Sequence, residues 1–416
     1  MDTYADRSSS SGRYPRLRPG PGLSREVVAA HQQARLQQAM IEIVATDGYE
    51  AVTVRSLAKR ARISTGTFYK HYSSTDDCLL CTFDQICGRA SRRMTEAVRN
   101  EPEPRRRLAL AAERLFQDMV AAPQAATFML RAAPTVGPAF TGDLWNSAMR
   151  LGAALELCIG SDSGSPLHPL LLEGVIAGLA RIGGTLPLEA GEDEVRGAAT
   201  EAVDWAMSLC APPSSAELST TAAPRRLLDD DLGGALGDER AMLLAATFRI
   251  ARDGYHQLSV SRICRQAGIS RRDFARHFES LEECFVAAVE ERAGGAIEAA
   301  VQGWDPSAAL RLLCDWVEED RDSARVVFVE ITAAGTNGID CRDRLIFQVA
   351  RALSTPAPAA EASASAAWTI LRRFVLDVDM ATTEALPALT LLMLVAGDKR
   401  RTTENKRPTI QSLDLP

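Results

Sequence analysis

A stretch of twenty residues, Thr53 to Tyr72, most constrains what this chain can fold into. It reads Thr-Val-Arg-Ser-Leu-Ala-Lys-Arg-Ala-Arg-Ile-Ser-Thr-Gly-Thr-Phe-Tyr-Lys-His-Tyr and carries five basic side chains and no acidic one. The pattern predicts two short helices separated by a tight turn, with Thr53 capping the first helix and Ser64 opening the second. The whole chain has a net charge of −7, so a locally basic two-helix unit with small polar residues indicates a surface that enters a DNA groove.

The same pattern returns 206 residues further along the chain. Between positions 47 and 78 there are eleven identities at this fixed offset, with no gap. In the first copy the identical residues are Asp47, Gly48, Tyr49, Val54, Ala61, Ile63, Ser64, Phe68, His71, Ser74 and Cys78. Chance hydrophobic patterning does not keep glycine, histidine and cysteine in register, so the sequence predicts a tandem repeat of one domain type.

The predicted fold class is all-α, with two tandem units, because no segment shows sustained β alternation. Each unit is expected to be a three-helix helix-turn-helix domain followed by a helical-bundle regulatory domain. The 416 residues are enough for several cores. The predicted limits are a disordered basic tail 1–25, a first helix-turn-helix domain 26–78, a first helical region 79–210, a linker 211–237, a second helix-turn-helix domain 238–284, a second helical region 285–400 and a C-terminal tail 401–416.

Glycine and proline residues punctuate the helical regions and set the predicted helix limits. The first helix is expected to begin at Arg25 and to stop at Gly48, and the fourth to run from Ser74 to about residue 99. Further helices are predicted at 105–121, 124–132, 139–159, 167–182 and 190–210. In the second half, breaks are predicted at Gly294-Gly295, Trp304 to Pro306, Gly335 to Gly338 and Ser354 to Pro358.

Several protein classes are excluded by what the sequence lacks. It has no apolar run near the ~20 residues that span a bilayer and no secretory leader pattern, so we expect a cytoplasmic protein without membrane association. Its five histidines show no metal-binding spacing, and there is no phosphate-cradling glycine loop or nucleophile motif. We expect no enzyme, no cofactor and no metal site. Cys78, Cys81 and Cys87 share part of a helix face, which leaves a thiol or metal sensor as an alternative.

The spacing Ile-Ser-x-Gly-Thr-Phe-Tyr-x-His-Tyr at 63–72, preceded by a helix ending in Asp-Gly-Tyr, resembles the TetR (tetracycline-repressor-like) family of bacterial regulators. The resemblance covers roughly residues 30–85 and again 238–290. The later helical regions resemble the family's effector-binding and dimerisation domain more loosely, and residues 170–210 look like its paired dimer helices. The resemblance implies a ligand-released repressor that binds a double-stranded DNA operator and a small-molecule effector of unknown identity.

The resemblance implies that the second short helix enters the major groove. Thr65, Gly66 and Thr67 would lie at base edges, while Tyr69, Lys70 and His71 would hold the DNA backbone. The full set of expected DNA-binding residues is Arg55, Ser64, Thr65, Gly66, Thr67, Tyr69, Lys70 and His71 in the first copy, and Arg262, Ser270, Arg271, Arg272, Asp273, Arg276 and His277 in the second.

Seven large apolar residues of the first helical region are candidates for an effector pocket. At helical spacing each is individually better explained as plain core, and both interpretations stay open. The seven are Phe83, Phe116, Met119, Phe128, Met129, Trp145 and Met149.

The two copies differ in the residues that would read DNA. Arg271 and Arg272 can make forked hydrogen bonds to guanine, whereas Thr65 and Thr67 suit thymine or phosphate oxygens. Asp273 is unfavourable near phosphate unless it pairs with Arg276 or accepts from cytosine. The family's lysine at the start of the fourth helix is Thr75 in the first copy and Leu281 in the second. We therefore expect different half-sites, or a degenerate second copy kept for packing.

Two arrangements follow from a repeat within one chain. In an intrachain pseudo-dimer, one polypeptide presents both reading heads to an asymmetric operator, with heads about 34–36 Å apart. In a homodimer of whole chains, four heads are available and a palindrome is read. The alternative function is a helical small-molecule sensor or partner-binding protein whose second head no longer binds DNA.

Overall fold

The computed structural model of the chain describes residues 24–132, 141–159, 169–209, 238–301, 306–353 and 358–397. Within these ranges the regular structure is helical and contains no strand, which confirms the predicted all-α class. The predicted linker 211–237 and C-terminal tail 401–416 lie outside the described residues, as does the tail 1–25 except for its last two positions.

The first half of the chain contains nine α-helices in its described part. They are α1 (Arg25–Asp47), α2 (Val54–Ala61), α3 (Thr65–Phe68), α4 (Thr75–Val98), α5 (Pro104–Ala121), α6 (Pro123–Thr127), α7 (Thr141–Ile159), α8 (Pro169–Gly184) and α9 (Glu192–Ser208). A 3-10 turn, Tyr49–Ala51, follows α1, and a π-helical segment, Phe128–Ala132, follows α6. These limits agree with the helices predicted from the punctuation.

The second half repeats this order. It contains α10 (Glu239–Ala251), α11 (Val260–Ala267), α12 (Arg271–His277), α13 (Leu281–Val301), α14 (Pro306–Glu319), α15 (Arg321–Phe328), α16 (Gly335–Leu353), α17 (Pro358–Leu376) and α18 (Thr382–Gly397). The 3-10 turns Tyr255–Gln257 and Glu330–Ala334 follow α10 and α15. The repetition of helix order extends the tandem repeat beyond the short stretch in which the sequence displays it.

One predicted helix break is wrong, and a second extends too far along the chain. Helix α13 continues through Gly294 and Gly295, because a glycine costs a helix only about 1 kcal/mol and the buried Val289 and Ala293 hold this helix in its core. In the second case the chain does turn at Gly335, whose φ is +62°, but Gly338 lies inside α16. A Cβ at Gly338 would lie 1.9 Å from the carbonyl oxygen of Ile331, so this glycine permits a close helix–backbone approach.

The described residues fall into two compact units, one within Met1–Phe83 and the other within Asp84–Pro416. The first contains α1 to α3. The second contains α10 to α12 together with the later helices of both halves, and its apolar core runs from Met94 to Leu392. The predicted domain limits stay predictions.

Within the second unit, the eighth and ninth helices of the two halves pack together. A Cβ added to Gly174 of α8 would contact the side chains of Ala366 and Ile370 of α17 at 3.2 and 3.5 Å, and Leu392 of α18 at 3.7 Å. The indole of Trp205, on α9, lies so close to Gly178 that a Cβ there would be 2.1 Å from it. The same indole donates a buried hydrogen bond of 2.9 Å to the Ser363 hydroxyl of α17. Small residues on one side and a large ring on the other make this contact specific.

Ion pairs line the border between the halves in this unit. Arg181 of α8 donates to Glu361 of α17 at 2.8 Å, and Arg131 pairs with Asp340 of α16. Glu173 of α8 is buried, and burial raises the pKa of its carboxyl to about 8, against the opposing effect of Arg373 on α17. The apolar contact and its charged margin both join segments that are far apart in sequence.

Candidate nucleic-acid interface

Helices α1 to α3, the first head, are shaped by side-chain caps. The Thr53 hydroxyl accepts from the Ser56 N–H at 3.0 Å, and the Ser56 hydroxyl accepts from the Thr53 N–H at 2.9 Å, so α2 begins with a reciprocal capping box. Ser64 caps α3 by accepting from the N–H of Thr67 at 3.1 Å. Both predicted caps are confirmed.

Packing fixes α3 against the rest of the first head. Phe68 is fully buried, as are Leu36 and Met40 of α1 and Leu57 of α2. One face of the short helix is therefore committed to the core. Its other residues, Thr65 to Thr67, are left on the outside, where side chains and backbone can meet a groove.

The structure shows where the expected DNA-contact residues of the first head lie, and it shortens the second helix. Thr65 and Gly66 are exposed and Thr67 is half-buried, its hydroxyl 2.8 Å from that of Ser64. Helix α3 ends at Phe68, so Tyr69 and Lys70 lie in the following turn and not on the helix. The cause is that the N–H groups of Lys70 and His71 bond to carbonyls three residues back, which tightens and ends the helix.

His71 is occupied within the first head. Its Nε2 lies 3.0 Å from the Oε1 of Gln32 on α1, and burial, followed by the charge of Lys70, lowers its pKa below the ordinary value. Tyr69, by contrast, is 62% exposed, and its ring is held edge-on against Phe68 at 5.4 Å between centroids. Arg55 and Lys70 are exposed cations on the same head.

Helices α10 to α12, the second head, repeat the framework. Ser259 caps α11, Ser270 caps α12, and the turn between these helices passes through Gly268 in the left-handed region. Phe274 is buried in the place of Phe68. In this head the reading helix is longer, since α12 extends to His277.

Most polar side chains of the second reading helix already have partners within the head. Asp273 accepts from the Ser270 hydroxyl and pairs with Arg276 at 2.8 Å, which is one of the two conditions under which the sequence could tolerate an acid there. Arg271 donates to the hydroxyl of Ser261. The guanidinium of Arg272 is exposed and has no hydrogen bond or ion pair with any residue that the structure describes.

Two other expected DNA contacts of the second head are also engaged. Arg262 donates to the side chain of Gln257 at 2.8 Å and faces Asp253 at 3.5 Å. His277 lies 3.2 Å from Glu239 at the start of α10. His71, in the turn after α3, and His277, the last residue of α12, thus each contact the first helix of their head.

Sequence reasoning missed one residue of the first head. Arg62, at the turn between α2 and α3, has φ +54° and ψ +45°, and it was counted only as one of the basic side chains. The available signal was the same-offset position in the second copy, which is Gly268.

The candidate effector residues lie in packed surroundings. Phe116 and Phe128 are fully buried. A Cβ at Gly183 of α8 would be 2.7 Å from Phe116 and 2.8 Å from Met119, so these two side chains fill the space beside that helix. Met149 likewise lies against Gly152, and Phe83 is buried in the first unit. Met129 is half-buried, and the side chain of Trp145 lies outside the described residues.

An open cavity of about 560 Å³ lies elsewhere, along α16. None of the seven candidate residues contributes to its described lining, which consists of Asp340, Asp343, Arg344, Phe347, Gln348 and Arg351.

The cysteine alternative gains no support from the described residues. Cys78 and Cys87 are buried, and burial raises the pKa of each thiol to about 12, which disfavours the reactive thiolate. Cys81 is exposed. Over the described ranges, no three His, Cys, Asp or Glu side chains are grouped to hold a metal ion.

Comparison with known families decides what the two heads are. The family model described as "Bacterial regulatory proteins, tetR family" matches residues 38–80 and again 243–288. The chain therefore carries two copies of the TetR-family DNA-binding domain. The match confirms the predicted tandem repeat of a helix-turn-helix domain.

Curated and solved relatives of this chain are distant. The chain is 30% identical over 78 residues to the fatty acid metabolism regulator protein of Bacillus subtilis (strain 168), an alignment that spans 19% of this chain and only 40% of that protein. Among solved structures, FadR from Bacillus subtilis in complex with stearoyl-CoA has a TM-score of 0.37 and 17% identity and covers 42% of this chain and 96% of its own. A TetR-family regulator from Marinobacter aquaeolei VT8 has a TM-score of 0.34 and 22% identity, with 42% and 95% covered.

Over its described residues the chain has no helix that combines the length and apolar character needed to cross a bilayer.

Proposed function

We propose that the protein is a DNA-binding transcriptional regulator, acting as a ligand-responsive repressor, in which one chain carries both reading heads. The observation that carries the proposal is the pair of heads, each with an N-terminally capped reading helix whose apolar side is buried and whose polar side is exposed. That arrangement supports insertion of α3 and α12 into major grooves.

The reading contacts of the first head follow from what is exposed. Thr65, Gly66 and Thr67 meet base edges and sugar-phosphate, and Tyr69, Lys70 and Arg55 contact the DNA backbone. In the second head Arg272 is the free guanidinium and binds a guanine edge, while Arg271 and Arg276 reach phosphate after exchanging their internal partners. Different side chains at corresponding positions support an operator with two unlike half-sites.

The pairing of α8 and α9 with α17 and α18 supports the intrachain pseudo-dimer. TetR-like proteins are expected to dimerise through their eighth and ninth helices, and here the second half of the same chain occupies that face of the first half. Gly174 lies against Ala366 and Ile370, and Trp205 donates a hydrogen bond to Ser363, so the second half covers this face of the first. A homodimer of whole chains would need a further surface.

The proposed effector is a small molecule that binds the helical regions and favours the state with lower DNA affinity. The curated relative is named for fatty acid metabolism, which makes a long-chain acyl-CoA the first ligand to try. The alignment to that relative spans a minor part of its length, so the acyl-CoA is a starting probe for the screen.

The proposal is tested by selecting binding sites for the full chain from random duplexes and footprinting the selected sequence at several salt concentrations. We expect protection of two unlike half-sites and a log–log decrease of affinity with salt whose slope corresponds to several phosphate contacts. Tight ligand binding with no sequence-selective footprint would favour the sensor alternative instead.

A further inference from the structure

We infer that Arg62 is a DNA-phosphate contact of the first head, held in a strained backbone conformation for that purpose. The inference rests on the proposed DNA-binding function and adds a residue that the comparison of reading helices does not reveal. It also assigns a contact to one head that the other head lacks.

The backbone of Arg62 is unusual. Its φ of +54° is the only positive φ at a non-glycine residue within the described part of the chain. The left-handed conformation costs a residue with a Cβ roughly 1–2 kcal/mol relative to its ordinary conformations. The corresponding turn of the second head uses Gly268, with φ +70°, where no such cost applies. Glycine is thus compatible with this turn, yet the first head carries arginine.

No contact of the Arg62 side chain within the head compensates for this strain. The side chain is exposed, and among the described residues it makes no hydrogen bond or ion pair. Its neighbour Arg60 differs in this respect, because Arg60 pairs with Glu42 at 3.1 Å. A strained residue whose side chain does nothing for the folded protein points to a role outside it.

The turn itself is braced from behind. Arg35, a buried residue of α1, donates through Nη2 to the carbonyl oxygen of Arg62 at 3.2 Å. The residue at the same offset in the second head is Ala241, which cannot make this bond. The two heads therefore differ at both positions of this contact. The first head has Arg62 and Arg35, whereas the second has Gly268 and Ala241.

The position suits a phosphate contact. Arg62 ends α2 and stands two residues before Ser64, the cap of the reading helix, so its guanidinium is tethered beside the helix that enters the groove. Lys59, Arg55 and Lys70 are other exposed cations of this head. An arginine there binds phosphate oxygens without reading sequence and strengthens binding of the first half-site whatever its bases.

The test compares the full chain with its Arg62→Gly variant on the selected operator. Loss of one phosphate contact lowers the slope of log affinity against log salt by about 1 and weakens binding about five-fold near 0.15 M salt. The same variant raises, or leaves unchanged, the stability of the first head in hydrogen exchange, because the strain is removed. Weaker DNA binding with a head of equal or greater stability separates a DNA contact from a structural role.

Three further variants complete the experiment. Arg62→Lys retains the charge and should keep most of the native salt slope. Arg62→Asn tolerates the turn but should lower the slope as much as Arg62→Gly does. Arg196→Gln on α9 removes an equal charge elsewhere and should leave both slope and affinity unchanged. If the native chain binds its operator and Arg62→Gly does so with the same slope and affinity, this inference is overturned and the proposed function stands. If the native chain shows no salt-dependent operator binding, both are overturned.

Discussion

Phe68 in the first head and Phe274 in the second are equivalent positions, and both are buried. In each head a glycine with positive φ, Gly48 or Gly254, follows the first helix. The aromatic neighbours match as well, since the ring centroids of Phe68 and Tyr72 are 5.8 Å apart and those of Phe274 and Phe278 are 5.7 Å apart. Outside this framework the heads differ. The first exposes Thr65 and Gly66 where the second exposes Arg271 and Arg272.

The heads also differ in how they are built into the protein. The first belongs to the compact unit within Met1–Phe83, whereas the second shares a unit and a core with the later helices. Two polar contacts join the second head to the later helices of its own half. Glu330, which is buried, accepts from the backbone N–H of Tyr255 at 3.0 Å, and Arg252 pairs with Asp320 at 2.8 Å. Packing dictates the common framework and leaves both the reading surface and the attachment free to diverge.

The largest effect should come from removing the buried phenylalanine ring at the centre of each head. Phe68→Ala and Phe274→Ala each remove a buried ring and should each cost about 3–5 kcal/mol. The consequences differ, because Phe68→Ala should unfold the first head alone while Phe274→Ala should lower the stability of the larger unit. Hydrogen exchange resolved by segment measures both. Equal loss of protection across the chain in the two variants would contradict the division into units.

A smaller effect tests the attachment of the second head. Glu330→Ala leaves the Tyr255 N–H without its acceptor, which should destabilise the second head by about 1–3 kcal/mol. Glu330→Gln keeps an acceptor and should cost less, and Asp322→Ala, an exposed acid on the adjacent α15, serves as the control. Faster exchange in α10 to α12 with α1 to α3 unchanged is expected. Equally faster hydrogen exchange in both heads would contradict the difference in how the two heads are attached.

The reading surfaces can be compared directly on DNA. Arg272→Ala should lose about 1–3 kcal/mol of discrimination at one base pair and should relax only one half-site. Thr67→Ala combined with Lys70→Ala should weaken the other half-site. Repeating the site selection with each variant measures the change. If both variants altered the same half-site, or if Arg272→Ala changed neither, the assignment of unlike half-sites to the two heads would be wrong.

The smallest effect concerns pH in the first head. Burial lowers the pKa values of His71 and His31 below the ordinary 6.5, helped by Lys70 and Arg35 respectively. Near pH 6.5 the unfolded state therefore binds more protons than the folded state. The contribution of the two histidines to the free energy of unfolding is complete above about pH 6.5 and decreases as the pH falls below that value. Replacing both histidines by asparagine should flatten this dependence in a denaturant titration between pH 5 and 8. An unchanged slope would show that other groups cause it.

Sequence alone was sufficient for features that depend on near neighbours. Thr53 and Ser64 could be recognised as caps because a cap is defined by residues three positions away, and the repeat at offset 206 fixed the second head. The Gly294-Gly295 break was wrong because packing of α13 outweighs a local propensity. The packing of Trp205 against Gly178 and its hydrogen bond to Ser363 could not be predicted. These contacts bring together segments up to 185 positions apart, from 178 to 363. The role inferred for Arg62 could not be predicted either, because only the structure gives its positive φ.

The central claim, that one chain presents both heads to one operator, is tested most directly by the mass of the complex. Light scattering on the full chain with a single duplex of the selected operator should give one chain per duplex, with both half-sites protected in a footprint of the same sample. Two chains per duplex, or one chain that protects only the first head's half-site, would contradict it.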